Sequence, residues 1–470
     1  MYQKPLEEAF RHALAHLENL DRMPAGAPAA LGTLRSQLQK PLLDEGLPAR
    51  QVVAELARDT AGGLHATGSG RFFGWVIGGT LPAALAADWL TSAWDQNAPL
   101  YTCGPAAGVV EEVAGAWLKE ILGLPARASF ALVTGCQAAH LTCLAAARHG
   151  VLARAGWDVE THGLYGAPRI RILSTGERHG SVLRAVRLLG MGIGNVEDLP
   201  VDEQSRLRPE TLQAALARDT AAPAIVVLQA GEINTGAFDP FETLVPLAQR
   251  HGAWVHVDGA FGLWAAGSPH YRHLVRGVEA ADSWATDGHK WLNVPFDCGY
   301  AFVADAEAHR ASLSLRASYL THHGDARDQI DWNPEWSRRA RGFPTYAALR
   351  ELGRRGVAQL VERCCRHAHA IVTGIGRLPG AELLWEPILN QGLVRFSDQR
   401  PGASDADHDR RTDEVIAAIV AEGEAFFGGA TWRGRRVMRV SVCNWRTTER
   451  DVGRAVDSVA KVLDLSGARP

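Results

Sequence analysis

At 470 residues the chain is long enough for two or three folding units and for large buried cores. Hydrophobic residues make up 46% and charged residues 21%, and 49 basic against 52 acidic side chains leave a net charge of −3. That balance excludes an electrostatic footprint for nucleic acid or for an anionic membrane. The seven cysteines are odd in number and form no C-x-x-C pair. They exclude a disulfide framework or a zinc knuckle and fit a reducing compartment.

Residues 5–20 place Leu6, Phe10, Ala13 and Leu17 at helical spacing and predict a surface-docking helix. The segment is amphipathic and charged throughout, unlike a signal peptide. No apolar run is long enough to span a bilayer, so a cytoplasmic location is expected. A second helix is predicted over 48–59. The Gly- and aromatic-rich run GSGRFFGWVIGGTLPAALAADWL then passes into a helix. From about residue 128 a rhythm sets in. Strands are predicted at 130–134, 169–174, 224–230 and 253–258, with helices opening after Gly135, at His179 and at Pro240. Short β-rich runs alternating with helices predict an α/β fold with a mostly parallel central sheet covered by helices on both faces. Strands at 283–287 and 298–303 are joined by a turn short enough for an antiparallel pair, so one reversed strand is expected. Residues 314–345 are polar and read as an irregular loop. A long helix to about residue 378 opens a small α+β C-terminal domain, with strands at 392–397 and 436–445 and helices at 411–422 and up to about 463. The expected division is 1–68, an N-terminal helical segment; 69–343, a large cofactor-binding domain; and 344–470, a small C-terminal domain.

Three features fall at the carboxyl ends of predicted strands, where open α/β sheets bind ligands in a crevice. Gly135-Cys136-Gln137 opens a helix, where free N–H groups and the helix dipole favour a phosphate. Asp258 ends the strand HVD, with the small Ala260 two residues on. Lys290 follows a strand in TDGHKWLNVP, between His289 and Trp291. An amine there becomes a nucleophile toward an aldehyde when burial or cations depress its pKa. Taken singly, each has a plainer reading: a surface lysine, a turn-capping aspartate, a glycine that starts a helix. His179, at the start of the next helix, reads equally as a backbone-bonded terminus or as a ring that stacks on a cofactor. His367 and His369, two apart on a helix, face different sides, so no metal site is expected. No G-x-x-x-x-G-K-[ST] or G-x-S-x-G occurs.

Together these segments resemble a known family. HVDGAFG followed by ADSWATDGHKWLNVPFDCG is similar to the cofactor segment of the group II pyridoxal-phosphate-dependent decarboxylases, which act on aromatic amino acids, glutamate, histidine and tyrosine. RFFGWVIGGTLPAALAADWLTSAWDQN, VVEEVAGAWLKEILGLP, TGCQAAHLTCLAAAR and NTGAFDPFETLVPLAQRHGAWVHVDGAFG resemble the same family, so the similarity covers nearly the whole chain. The resemblance implies fold type I of pyridoxal-phosphate enzymes and a homodimer with active sites at the subunit interface. It implies Lys290 as the Schiff-base lysine, Asp258 as partner of the pyridinium nitrogen and His179 as the ring-stacking histidine. Ala260 would be the small residue on the opposite face, Gly135, Cys136 and Gln137 the phosphate cradle, and His289 a neighbour of phosphate and substrate. The expected reaction is decarboxylation of an L-amino acid to its amine.

The chain also departs from the family pattern. Cys136 and Gln137 replace the usual Ser or Thr of the phosphate loop, and Glu232 replaces a Thr. An ungapped comparison puts Gln329 where decarboxylases carry the loop tyrosine that protonates Cα; Tyr319 matches a different family tyrosine. Either another donor acts, such as His322 or His323, or the outcome is aldehyde formation or transamination. A non-catalytic binding protein on the same fold is the reading from another class, and intact Asp258, His179 and Lys290 argue against it. Phe72, Phe73, Trp75 and Trp94 read equally as an aromatic pocket or as packing.

Overall fold

The computed structural model describes residues 1–315, 324 and 326–467. The chain folds as two compact units, one made of Met1–Gly79, His367–Glu386 and Gly392–Pro470, the other of Thr80–Arg366 and Pro387–Gln391.

The larger unit is built on seven strands: β1 (Ser129–Val133), β2 (Arg171–Thr175), β3 (Val196–Leu199), β4 (Ala224–Gln229), β5 (Trp254–Asp258), β6 (Ser283–Asp287) and β7 (Gly299–Val303). They lie in the order β1-β7-β6-β5-β4-β2-β3. All but β3 are buried at every position, as a parallel sheet with both faces covered requires. The pairs β6–β5, β5–β4, β4–β2 and β2–β3 are parallel, whereas β7 runs antiparallel to both β6 and β1. The short 288–298 connection thus makes the one reversed strand that its length predicts.

The helix Cys136–Arg154 lies across the sheet. Its Ala139, Cys143, Ala146 and Ala147 are wholly buried in one core with Val133, Ile172, Ile225, Val227 and Ala301. Small side chains let the helix approach closely. A methyl group on Gly150 would stand 2.8 Å from the Trp254 ring, so a larger residue there has no room.

Sequence patterning misses β3. Its residues VEDL are mostly half-buried or exposed at the sheet edge, so no apolar run marks them. The preceding Gly190 and Gly192, with φ of 71° and 77°, turn the chain after the helix Gly180–Leu188. The helix expected to continue from residue 344 runs over Gly342–Gly376 but is interrupted at Gly353, where φ is 58°.

The other unit holds β8 (Ala381–Trp385), β9 (Gln391–Phe396), β10 (Gly428–Trp432) and β11 (Arg435–Ser441) in the order β10-β11-β9-β8. Strands β8 and β10, which hold only exposed and half-buried residues, were not legible as apolar runs. The helix Asp405–Glu422 begins six residues before the expected start. Ser404 and Asp407 form a capping box there, each side chain bonding the other's backbone N–H. Among the described residues no helix is long and apolar enough to cross a membrane.

Candidate active site

Strand register gathers the site. Val133, the last residue of β1, pairs with Gly299 of β7, and Gly299 pairs with Asp287, the last residue of β6. On the other side of β6, Ala285 pairs with Asp258, the last residue of β5. The carboxyl ends of β1, β6 and β5 therefore bring Gly135, Asp287 and Asp258 to one edge of the sheet, with Lys290 three residues past Asp287.

Asp287 joins the pieces. Its Oδ2 lies 2.9 Å from Lys290 Nζ. Its Oδ1 accepts the backbone N–H of Cys136 at 2.5 Å, at the first turn of the helix, and lies 3.6 Å from His289 Nε2. His289 accepts the N–H of Cys298 through Nδ1 at 3.2 Å and stacks on Phe296. It also explains Gly135: a methyl group there would stand 2.9 Å from the His289 ring. Gly299 is equally constrained, since its Cβ would lie 2.5 Å from the Gly135 backbone.

Asp258 is the second anchor. Its Oδ1 accepts the N–H of Ala260 at 3.2 Å. The strand therefore ends at Asp258 and Ala260 turns back toward it, rather than continuing the extension. The thiol of Cys136 points to the same carboxylate, with Sγ 4.0 Å from Asp258 Oδ1. His140, one turn further along that helix, places Nε2 3.5 Å from Asp258 Oδ2. His179 caps the helix Gly180–Leu188, with its Nδ1 2.7 Å from Ser181 Oγ and accepting the Ser181 N–H.

Electrostatics divides the groups. Burial works to raise the Asp258 carboxyl, but His140, His179 and Lys290 outweigh it and hold the pKa well below the usual carboxylate range. The group is ionised at neutral pH. Burial likewise works to depress Lys290, but the carboxylates of Asp287 and Asp258 hold its pKa above the ordinary lysine value. The depressed lysine expected from the sequence is therefore not found, because a carboxylate sits against the amine. Burial pushes the Cys136 thiol well up, with Asp287 and Asp258 adding to it, so the sulfur is a neutral thiol. Burial lowers His289.

The cofactor-site residues singled out in the sequence lie in one unit, and all but His179 and Gln137 join directly through the Asp287 and Asp258 clusters. His179 is exposed, yet close enough to help hold Asp258 ionised. Asp287 and His140 were missed. A strand-terminal aspartate reads as a turn cap, and His140 lies in an alanine-rich helix that reads as core. The spacing C-x-x-x-H, which stacks Cys136 and His140 on one helical face, is the signal that would have found the second.

The departures from the family pattern resolve in part. Glu232, buried, accepts the N–H groups of Asn234 and Thr235 and the Thr235 hydroxyl, so it shapes a turn. Burial raises its pKa. Gln329, also buried, accepts from Arg327 through Oε1, and its Nε2 has no partner among the described residues. Tyr319, His322 and His323 lie outside the described residues. Phe72 stacks on Phe426 at 4.4 Å and Phe73 on Phe427 at 5.3 Å, which gives both a packing role. Trp75 and Trp94 are about half exposed.

These residues fit pyridoxal phosphate. An ionised carboxylate suits a protonated ring nitrogen, and a buried amine suits an aldehyde. Gln137 Nε2, at the N-terminus of the Cys136–Arg154 helix, is a buried donor without a partner among the described residues, as an anion-binding position would leave it.

Comparison with known proteins agrees. The pyridoxal-dependent decarboxylase conserved domain matches residues 32–398. Tryptophan decarboxylase 1 of Oryza sativa subsp. japonica is 27% identical over 97% of this chain and 92% of its own. The aromatic-L-amino-acid decarboxylase of Drosophila lebanonensis is 29% identical over 81% of this chain and 95% of its own. The crystal structure of Oryza sativa TDC with PLP and tryptamine superposes with a TM-score of 0.92 at 24% identity, covering 99% of this chain and 98% of that one; it shares fold type I. With the domain match spanning most of its length, the chain belongs to the pyridoxal-dependent decarboxylase family, enzymes that use pyridoxal phosphate to remove the carboxylate of an amino acid and leave the amine.

Proposed function

We propose that the substrate is an aromatic L-amino acid, that Lys290 is the covalent anchor of pyridoxal phosphate, and that Asp258 is the carboxylate against the ring nitrogen. The pair of clusters at the strand ends carries the two cofactor roles, and the similarity to tryptophan and aromatic-L-amino-acid decarboxylases supports the aromatic substrate. Lys290 is held by Asp287 at 2.9 Å, and Asp258 is kept ionised by His140, His179 and Lys290 against the cost of burial.

When bound, the cofactor supplies a conjugated ring that takes up the electron pair of the bond broken at Cα. Asp258 would place its negative charge beside the ring nitrogen and so favour the protonated, electron-accepting form. Lys290 would be the amine that holds the cofactor's aldehyde carbon, and Asp287, 2.9 Å from Nζ, is the carboxylate placed to take up its proton. Gln137 and the helix N-terminus would hold the phosphate, with Gly135 giving close backbone approach and Cys136 lining the floor. His179 and Ala260 would flank the ring, and His289 would stand beside phosphate and substrate. We assign the enzyme to the cytoplasm as a homodimer with active sites at the subunit interface. Its segments 1–68, 69–343 and 344–470 would act as helical arm, cofactor domain and small domain.

The test is product identity. Purified enzyme is offered aromatic, acidic and basic amino acids, and products are read by mass spectrometry. An aromatic amine with one CO2 per turnover is expected. Turnover confined to acidic or basic amino acids would overturn the aromatic assignment.

A second reading rests on Gln329. Its amide is no acid, so a tyrosine-like proton donor is missing at that position. Oxygen would then be consumed and an aldehyde released with CO2, ammonia and peroxide; transamination would give a keto acid instead. The same assay separates the three products.

A further inference from the structure

Behind Asp258 lies a file of buried polar groups, of which the proposed chemistry uses only the nearest, His140. His140 Nε2 faces Asp258 Oδ2 at 3.5 Å. His140 Nδ1 lies 2.9 Å from His256 Nε2, with the two rings edge to face. His256 Nδ1 lies 2.9 Å from Ser283 Oγ, and the indole N–H of Trp254 donates to the same Oγ at 2.9 Å. His140, His256 and Ser283 are wholly inaccessible to solvent, and Trp254 is nearly so.

The file has a direction. Indole can only donate and a carboxylate can only accept. Burial, followed by the nearness of His140, pushes His256 down to about 3, so its imidazole is neutral at pH 7. When His140 turns its Nε2–H to Asp258 and accepts through Nδ1, every donor finds an acceptor, and the Cys136 thiol, 3.6 Å from the same Nε2, faces Asp258 Oδ1 as a second donor. Trp254 donates to Ser283, the Ser283 hydroxyl to His256 Nδ1, His256 Nε2–H to His140 Nδ1, and His140 Nε2–H to Asp258. The last link is long in this structure, as such bonds are before a ligand is bound. A pair of core histidines would need none of this order.

We propose that Trp254, Ser283, His256 and His140 form a buried hydrogen-bond relay that aims the Asp258 carboxylate at the cofactor's ring nitrogen, with His140 as the positioning residue. This rests on the reading of Asp258 given above. The register supports it. Trp254, His256 and Asp258 alternate along β5, Ser283 pairs with His256 across β6, and His140 reaches down from the overlying helix.

The experiment measures binding of pyridoxal phosphate, and of an analogue whose ring nitrogen is replaced by C–H, to the full-length cofactor-free protein, read by tryptophan fluorescence. Wild-type protein prefers the natural cofactor. His140→Leu loses about tenfold in affinity for pyridoxal phosphate, the worth of a hydrogen bond to a charged group, while its affinity for the analogue is unchanged. His140→Gln, whose amide N–H falls near the Nε2 position, restores most of the preference. Ser283→Ala, two links away, weakens it by about twofold to threefold through the tautomer of His256. A His140→Leu protein that keeps the wild-type preference overturns the relay. Should that variant fail to fold, an unchanged preference in Ser283→Ala overturns it equally. A wild-type protein that binds both ligands alike refutes the role of Asp258 itself, and the relay with it.

Discussion

Asp258 keeps its charge in a buried site because three basic groups surround it, and the proposed chemistry depends on that charge. Asp258→Asn preserves the shape and removes the charge. We expect kcat to fall by about 10²- to 10³-fold, in the range seen when a preorganised electrostatic group is lost, with Lys290 still reactive toward the cofactor. Steady-state kinetics beside a binding titration check this; unchanged kcat would count against it. Both Asp258 and Lys290 were legible in the sequence, because each stands in a motif at the end of an apolar strand. Asp287 and His140 were not. Besides Cys136 one turn away, the partners of His140 are Asp258 and His256, the latter 116 positions away, and only the folded sheet brings those two to it.

The elements most legible in the sequence are the ones buried on both faces. β1, β4 and β7 are apolar at nearly every position, and β2, β5 and β6 are buried throughout around shorter apolar stretches, so pattern and environment agree. β3, β8 and β10 are partly exposed and carry no such run. Strand β1 also relies on a group that no pattern marks. Arg338 pairs with Glu111 through two hydrogen bonds of 2.8 and 3.1 Å and donates to the Leu132 carbonyl at 2.7 Å. Glu111→Gln leaves that guanidinium buried and its charge unpaired. Unfolding stability should drop by about 3 kcal/mol or more, read as a shifted denaturant midpoint. His309 sets a pH dependence. It bonds Ser129 Oγ at 2.8 Å and the Trp332 carbonyl at 3.0 Å. Burial, with the charge of Arg327, lowers its pKa from 6.5 to about 3. Between those values the unfolded chain holds a proton that the folded chain lacks. The contribution of His309 is therefore fully present above pH 6.5 and is lost as pH falls toward 3, by up to about 1.4 kcal/mol per pH unit. His256 adds to the same slope. Denaturation series from pH 7 to pH 4 should show a shallower slope for His309→Gln; an identical slope would refute the assignment.

For the whole molecule, the division into compact units is the feature hardest to foresee. Residues from both ends of the chain share one unit, and linear order does not reveal which distant segments pack together. The cofactor site needs no such knowledge, since every residue assigned to it falls within one unit. Its central claim is a covalent bond between Lys290 and pyridoxal phosphate. Borohydride reduction of the purified holoenzyme, followed by peptide mass spectrometry, measures this directly. We expect loss of the visible absorbance band and one pyridoxyl-phosphate adduct per chain, located on Lys290. An adduct on another lysine, or none at all in protein saturated with the cofactor, would contradict the account.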